Sequence, residues 1–375
     1  MKIISYESNA GPNDLHFPKM YFSKLNLIVG DSATGKTRLL NTIFNGGMMA
    51  VQRDKLFVGF WDITLEHQNQ LYRWVIQTGG EKGDEKVQSE KIAKLRENGE
   101  EEVLVLRTPS TFIFADKELP LLGPRETSIT LLQEEDLIKP LYLGFSSIMR
   151  RSFFGPDLEM AGALGSVPQI FLEKIKKSRN KDDLFPLGLG LNGRLYILSQ
   201  YFKDTYERIC KEFMTVFPFV LNYDLLNAEK FGFYSPGFVP VFAVRERHMG
   251  ETWIPLDQLS SGMKKVLLIL TDIFTMPENG GVYLLDEYEN SLGINAISFF
   301  PSILFESGTK SQFIITSHHP YIIGNVPVKS WIVLHRKGKE VLVKQGDALE
   351  ERYSKSKQKA FVQLINDPFF TEGIE

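Results

Sequence analysis

Residues 24–40 read KLNLIVGDSATGKTRLL, and no other stretch limits the fold so strongly. The run Leu25–Val29 is short, apolar and followed by glycine, which is the pattern of a buried strand. Gly30–Gly35 is a loop of small residues. From Thr37 onward, Leu39, Leu40 and Ile43 share one face of a helix. A strand that runs into G-x-x-x-x-G-K-[ST] and then a helix is a phosphate cradle, because the loop amides and the helix N-terminus both point N–H groups at anionic oxygens. Gly30, Asp31, Ser32, Ala33, Thr34, Gly35, Lys36, Thr37 and Arg38 make up the expected site. Gly35 permits close backbone approach, Lys36 reaches the β- and γ-phosphates, and the Thr37 hydroxyl ligates Mg²⁺.

Three further segments carry candidate chemistry. GVYLLDEYEN at Gly281–Asn290 is an apolar strand ending in two carboxylates. Behind a phosphate loop, Asp286 suits a Mg²⁺ ligand and Glu287 a general base acting on water. In QLSSGMKK, Ser260, Ser261 and Gly262 open a helix that is apolar nearly all round. Its N-terminus is either a second anion site or simply the cap of a core helix. QFIITSHHPY at Gln312–Tyr321 is another apolar strand with a polar tip. There His318 or His319 could hydrogen-bond a γ-phosphate or the attacking water, or merely cap the strand.

The rest of the chain supplies scaffold. Residues 56–115 hold aromatic and β-branched runs with polar breaks, expected to form an antiparallel meander. The charged stretch Glu81–Glu102 is expected as solvated strand and turn. From Ser128 to about Phe219 the apolar spacing is mostly helical, and no heptad repeat is sustained, so no long coiled coil is expected. Strands are expected at FVLNYDL, KFGFYS and VFAVRER. After these come a helix over Gly262–Phe274, strands over Gly281–Leu285 and Gln312–Thr316 with a helix near Ile294–Phe305 between them, a strand pair at WIVLHR and EVLVKQ, and a helix over Glu351–Asp367. The single cysteine, Cys210, excludes an internal disulfide and a CxxC metal site. A net charge of −3 gives no global field for nucleic acid or membrane. Without a signal-peptide pattern or a spanning apolar run, a cytoplasmic protein is expected.

In this order the motifs resemble the head of ABC-type ATPases: a phosphate loop, a signature, a second carboxylate strand with its Glu, a D-loop and a switch histidine. The resemblance implies an α/β fold, a mixed sheet plus antiparallel meander with an inserted, mostly helical lobe. The expected partition is 1–127 for the first half of the head, 128–219 for the lobe and 220–375 for the second half. In the family, signature residues of one copy clamp the γ-phosphate bound by another. This implies ATP as substrate, Mg²⁺ as cofactor, Ser260–Gly262 as ATP contacts in trans, and a homodimer or higher homo-oligomer. LSSGM departs from LSGGQ at its third and fifth positions. The family pattern selects His318 as the switch histidine, places the D-loop at Asn290–Gly293 with Gly293 where Asp or His is usual, and assigns Gln133 as a metal-linked glutamine ahead of the lobe. About 220 residues separate Lys36 from Ser260, which resembles the SMC, RecF and OLD group rather than transporters. DEYENSLG and ITSHHPYII are most similar to OLD-type ATPases of antiphage defence. Only about 55 residues follow His318, too few for a Toprim domain. The resemblance therefore implies a separate effector such as a Toprim or HNH nuclease, as in PARIS or Septu systems. The alternative is a RecF-like repair ATPase on duplex DNA, with the basic stretches Glu173–Lys181 and Ser354–Lys359 as phosphate contacts or as solvated surface.

Overall fold

The computed structural model describes the chain apart from residues 10, 12–13, 53–54, 82, 153–166, 188, 234–238, 291, 294–295, 300–302, 305–308, 351–352, 354–356 and 375. It falls into two compact units.

The first unit comprises residues 1–151, 279–286 and 310–375. It holds a 14-stranded sheet whose order is not that of the chain. Ile148–Ser152, Val282–Asp286, Gln312–Thr316, Leu25–Val29 and Trp331–Lys337 lie side by side in that sequence. Leu25–Val29 runs parallel to both neighbours, pairing Leu27 with Ile315 and with Trp331, and Val282–Asp286 runs parallel to Gln312–Thr316. Every residue of Leu25–Val29, Val282–Asp286 and Gln312–Thr316 is buried. Continuous apolar runs of this kind belong to parallel strands covered on both faces. The consequence is functional: Val29, Asp286 and Thr316 end their strands at one edge of the sheet.

Beyond Trp331–Lys337 come Glu340–Gln345, His16–Tyr21 and Lys2–Asn9, then the antiparallel meander. Its strands are Gly59–His67, Gln70–Gly79, Lys86–Leu95, Glu101–Thr108, Thr111–Phe114 and Lys117–Glu118. Gln70–Gly79 alternates half-buried and buried residues along its length, the period of a half-covered strand. Tyr6, Trp61, Trp74, Phe17 and Phe145 meet Leu39, Leu40 and Ile43 of the helix Lys36–Val51 in one core.

The charged stretch Glu81–Glu102 is not wholly solvated. Glu90 is buried, accepting from Trp74 Nε1 at 2.9 Å, from Ser128 N at 2.8 Å and from Ser128 Oγ at 2.7 Å. Arg107 Nη1 lies 3.5 Å away. A buried carboxylate is tolerated only with this density of donors.

The second unit comprises residues 152–278 and 287–309. The helices Gln169–Ser178, Leu191–Tyr201, Lys203–Val216 and Ser261–Thr275 accompany an antiparallel sheet of Val220–Leu226, Val241–Glu246 and Trp253–Pro255. Phe213 meets Phe242 edge-on, with ring centroids 6.4 Å apart. Arg194 and Asp272 form a buried ion pair at 2.6 Å. Ser261–Thr275 is buried without a break from Val266 to Thr275, matching its all-round apolar sequence.

Two expectations on this region need correction. The lobe does not begin at Ser128: the short helices Ser128–Leu131 and Lys139–Phe145 and the strand Ile148–Ser152 belong with the large sheet, and the second unit takes in the three-stranded sheet and the Ser261–Thr275 helix. The described residues of KFGFYS, 230–233, form no strand. Asn227 caps a 3-10 turn, Ala228–Phe231, which Gly232 ends at φ 81°; residues 234–238 lie outside the described part. Half of the helix expected near Ile294–Phe305, and the start of that expected over Glu351–Asp367, also fall outside it, while residues 296–299 and 303–304 and the stretch Lys357–Ile365 are helical. Cys210 is buried. No helix among the described residues is long and apolar enough to cross a membrane.

Candidate functional site

Gly30–Gly35 leaves the end of the Leu25–Val29 strand and closes on itself. Thr34 Oγ1 donates to the Asp31 carbonyl at 2.9 Å, and Arg336 Nη1 donates to the Ala33 carbonyl at 3.3 Å. A Cβ on Gly30 would stand 2.5 Å from the Leu334 carbonyl oxygen. Gly35 holds φ 101°, where its Cβ would stand 2.6 Å from Leu15 Cδ1. Both positions therefore demand glycine, one for space and one for conformation as well. The first helical bond runs from Leu39 N to the Gly35 carbonyl. The amides ahead of it face outward at the positive end of the helix dipole.

Lys36 is 6% exposed. Its Nζ donates to the carbonyls of Gly30 at 2.9 Å and Asp31 at 2.7 Å, which arches it over the loop where phosphates would lie. Asp31, Ser32, Ala33, Thr37 and Arg38 are exposed. The Arg38 guanidinium turns to Asp14, Nε to Oδ1 2.6 Å, so the helix backbone at position 38, rather than its side chain, is what the loop presents.

Asp286 is 3% exposed at the tip of its strand. Its Oδ1 accepts from Thr37 Oγ1 at 3.1 Å and from Thr316 Oγ1 at 2.8 Å, while Arg150 Nη2 lies 3.7 Å from Oδ2. Two neighbouring strand ends, the middle of a third strand and the first turn of the Lys36–Val51 helix thus converge on one carboxylate. Magnesium binds oxygen at about 2.1 Å in an octahedron, so adjacent ligand oxygens sit about 3.0 Å apart. The Thr37–Asp286 oxygen pair already has that spacing, and the residues present fit the ion.

Gln133 is the glutamine expected ahead of the lobe. It lies half-buried in the turn after Ser128–Leu131, well ahead of the point where the chain leaves the large sheet. The strand Ile148–Ser152 occupies that junction, and its Arg150 reaches Asp286. Arg150 and Thr316 are site residues that sequence reasoning missed. Thr316 stood at the polar tip of a recognised strand, whereas nothing local in MRRSFF marked Arg150.

His319 caps the helix Pro320–Asn325, with Nδ1 accepting from Tyr321 N at 3.2 Å. That leaves His318, exposed at the strand tip, as the histidine facing outward.

In the second unit, Glu287 follows Asp286 in the chain with φ 44°. Non-glycine residues seldom hold that conformation, and it concentrates at functional sites. Asn290 Nδ2 donates to Glu287 Oε2 at 2.7 Å, and Asn290 N donates to the Glu287 carbonyl at 3.1 Å, closing a tight turn. Ser260 caps the Ser261–Thr275 helix, its Oγ accepting from Met263 N at 3.3 Å. Ser260 and Ser261 are exposed and Gly262 is half-buried. The tip is therefore both a capped core helix and an accessible cluster of small donors.

Residues 168–324 match the profile of a family described as an AAA domain, putative AbiEii toxin, Type IV TA system. This span contains Ser260, Asp286, Glu287 and His318 but not the phosphate loop. No curated protein matches the chain in sequence. Among solved structures the chain is similar to an SMC head bound to the C-winged helix domain of ScpA, at 14% identity over 91% of this chain and 97% of that one, with a TM-score of 0.51. An SMC head domain from Thermotoga maritima gives 13% identity, 92% and 99% coverage and a TM-score of 0.43. An SMC head with an extended coiled coil from Pyrococcus furiosus gives 12%, 93%, 98% and 0.47. The first of these carries the conclusion that the fold is that of an ABC-type ATPase head.

Proposed function

We propose that a chain with this head fold binds Mg-ATP at Gly30–Thr37 and hydrolyses it as one half of a sandwich of two copies. The observation that carries the reading is the meeting of Thr37, Thr316 and Arg150 on Asp286, at the tip of the strand two places from the one that feeds the phosphate loop. The loop amides and Lys36 bind the β- and γ-phosphates. Thr37 and Asp286 hold Mg²⁺, which neutralises charge building on the transferred phosphoryl group. Glu287 orients water and takes its proton, and His318 holds the γ-phosphate side of that water. Ser260, Ser261 and Gly262 of the second copy close over the γ-phosphate with a helix N-terminus and small side chains.

Hydrolysis then opens the pair, so the chain acts as a switch on a separate effector, a nuclease of Toprim or HNH type in an OLD-like antiphage system. Support for a partnered system comes from the matched family's description as a Type IV TA system. Salt-dependent binding to duplex DNA, lost on charge reversal in Glu173–Lys181, would instead favour the RecF-like reading.

The Glu287→Gln variant tests the enzymatic core of the proposal. It keeps the turn and removes the base, so it should bind ATP, hydrolyse it at least about 10²-fold more slowly and accumulate as an ATP-bound dimer in sedimentation. Wild-type hydrolysis by this variant would remove Glu287 from the mechanism.

A further inference from the structure

The helix that carries the signature also carries a lysine where a lysine is costly. Lys265 is 0% exposed, one turn past Ser260–Gly262 and directly before the buried apolar run Val266–Leu270. Burial pushes its ammonium down to about 7, against the pull of Glu289 and then Glu287. A methionine or leucine would fill the same volume without that penalty. Its Nζ donates to the Asn290 carbonyl at 2.5 Å. From the same residue, Asn290 Nδ2 donates to Glu287 Oε2 at 2.7 Å. The next lysine, Lys264, does something different, donating to the Asp257 carbonyl at 2.5 Å and fastening the helix to the 3-10 turn Leu256–Gln258 that precedes it.

We propose that Lys265 is a positioning residue that ties the signature helix to the general base, through the path Lys265 Nζ to Asn290 O and Asn290 Nδ2 to Glu287 Oε2. The inference rests on the reading of Glu287 as the base. The turn from Glu287 to Asn290 is short, is closed by its own backbone bond and starts from a residue at φ 44°. A carboxylate that must hold one orientation gains from an anchor outside its own turn. Lys265 is that anchor, and it sits on the element whose exposed tip meets the second copy in the proposed sandwich. A shift of the helix on engaging ATP in trans moves the ammonium, the Asn290 carbonyl and the carboxylate together. The path is complete within one head, so it holds the base in place before a second copy engages the signature.

The test is single-turnover hydrolysis, ATP affinity and melting temperature for Lys265→Met, Lys265→Gln and Asn290→Ala. Misplacing a reacting group by an ångström costs about 10²-fold in rate. Lys265→Met should therefore lose about that much in kcat, with ATP affinity unchanged and a melting temperature equal to or above wild type. Lys265→Gln, which keeps a donor, should recover part of the rate. Asn290→Ala should match Lys265→Met, and the double variant should be no slower than either, since both cut one path. In a Glu287→Gln background Lys265→Met should cost nothing further. Overturning results would be a Lys265→Met rate equal to wild type, or rate, affinity and melting temperature falling together with no recovery by Gln, which is the pattern of simple core damage. If Glu287→Gln hydrolyses at the wild-type rate, the reading of Glu287 fails instead, whatever Lys265→Met does.

Discussion

Asp286 receives two threonine hydroxyls on one carboxylate oxygen and an arginine near the other, so its charge is committed on both sides. Asparagine would keep the shape but could not ligate a cation with a full charge. Asp286→Asn should lower Mg-dependent hydrolysis by at least about 10²-fold while leaving ATP binding in EDTA unchanged, as measured by nucleotide fluorescence against phosphate release. Equal loss of both would place the residue in structure rather than in metal binding. At this scale the sequence told much about Gly30–Thr37, Asp286 and Glu287, because those residues act through local geometry: a loop between a strand and a helix, or two carboxylates at a strand tip. It told little about Thr316, Arg150 and Lys265. Their roles arise from strand order and helix burial, which bring Arg150 and Thr316 to Asp286 from two other strands of the sheet, or turn a lysine inward on a helix where solvent would be its ordinary place. The lobe's start could not be read from helical spacing alone, since the short helices Ser128–Leu131 and Lys139–Phe145 belong with the large sheet.

Among the elements, the meander was legible because its strands alternate polar and apolar residues, and Gln70–Gly79 keeps that period along its length. The reading failed where charge was taken for exposure. Lys86–Leu95 carries Glu90 into the interior, where it holds the start of the Ser128–Leu131 helix and faces Arg107. Truncating it removes the counter-charge of a buried guanidinium, which keeps the Glu126 and Gly123 carbonyls, and leaves the Ser128 and Trp74 donors unmet, so Glu90→Ala should cost about 3–5 kcal/mol of stability, read as a shift in the urea midpoint at constant slope. A shift no larger than that of an exposed meander glutamate such as Glu102 would mean that Arg107 is solvated. The KFGFYS segment failed for a smaller reason: its aromatic residues suit a strand, but Asn227 and Gly232 punctuate it as a turn.

At the scale of the molecule, the interleaving of the units is what the chain order conceals. The sheet draws its site-bearing strands from residues near 25–29, 148–152, 282–286 and 312–316, and the signature helix belongs to the other unit, whose residues 152–278 are inserted in the chain between two of those strands. The motif order gave the head architecture, while the partition at 127 and 219 did not foresee that the large sheet keeps its hold on the chain up to the junction near residue 151. In the proposed assembly two such heads share ATP, each supplying a phosphate loop to the other's helix tip. Cys210, the single cysteine and buried, leaves the surface free of competing thiols. The most direct measurement is therefore disulfide trapping between Ser32→Cys in the phosphate loop and Ser261→Cys at the helix tip, in the Glu287→Gln background. The account predicts a covalent dimer that forms with Mg-ATP, does not form without nucleotide, and appears when the two cysteines are carried by different copies. No dimer with ATP, or one that forms equally without it, would contradict the account.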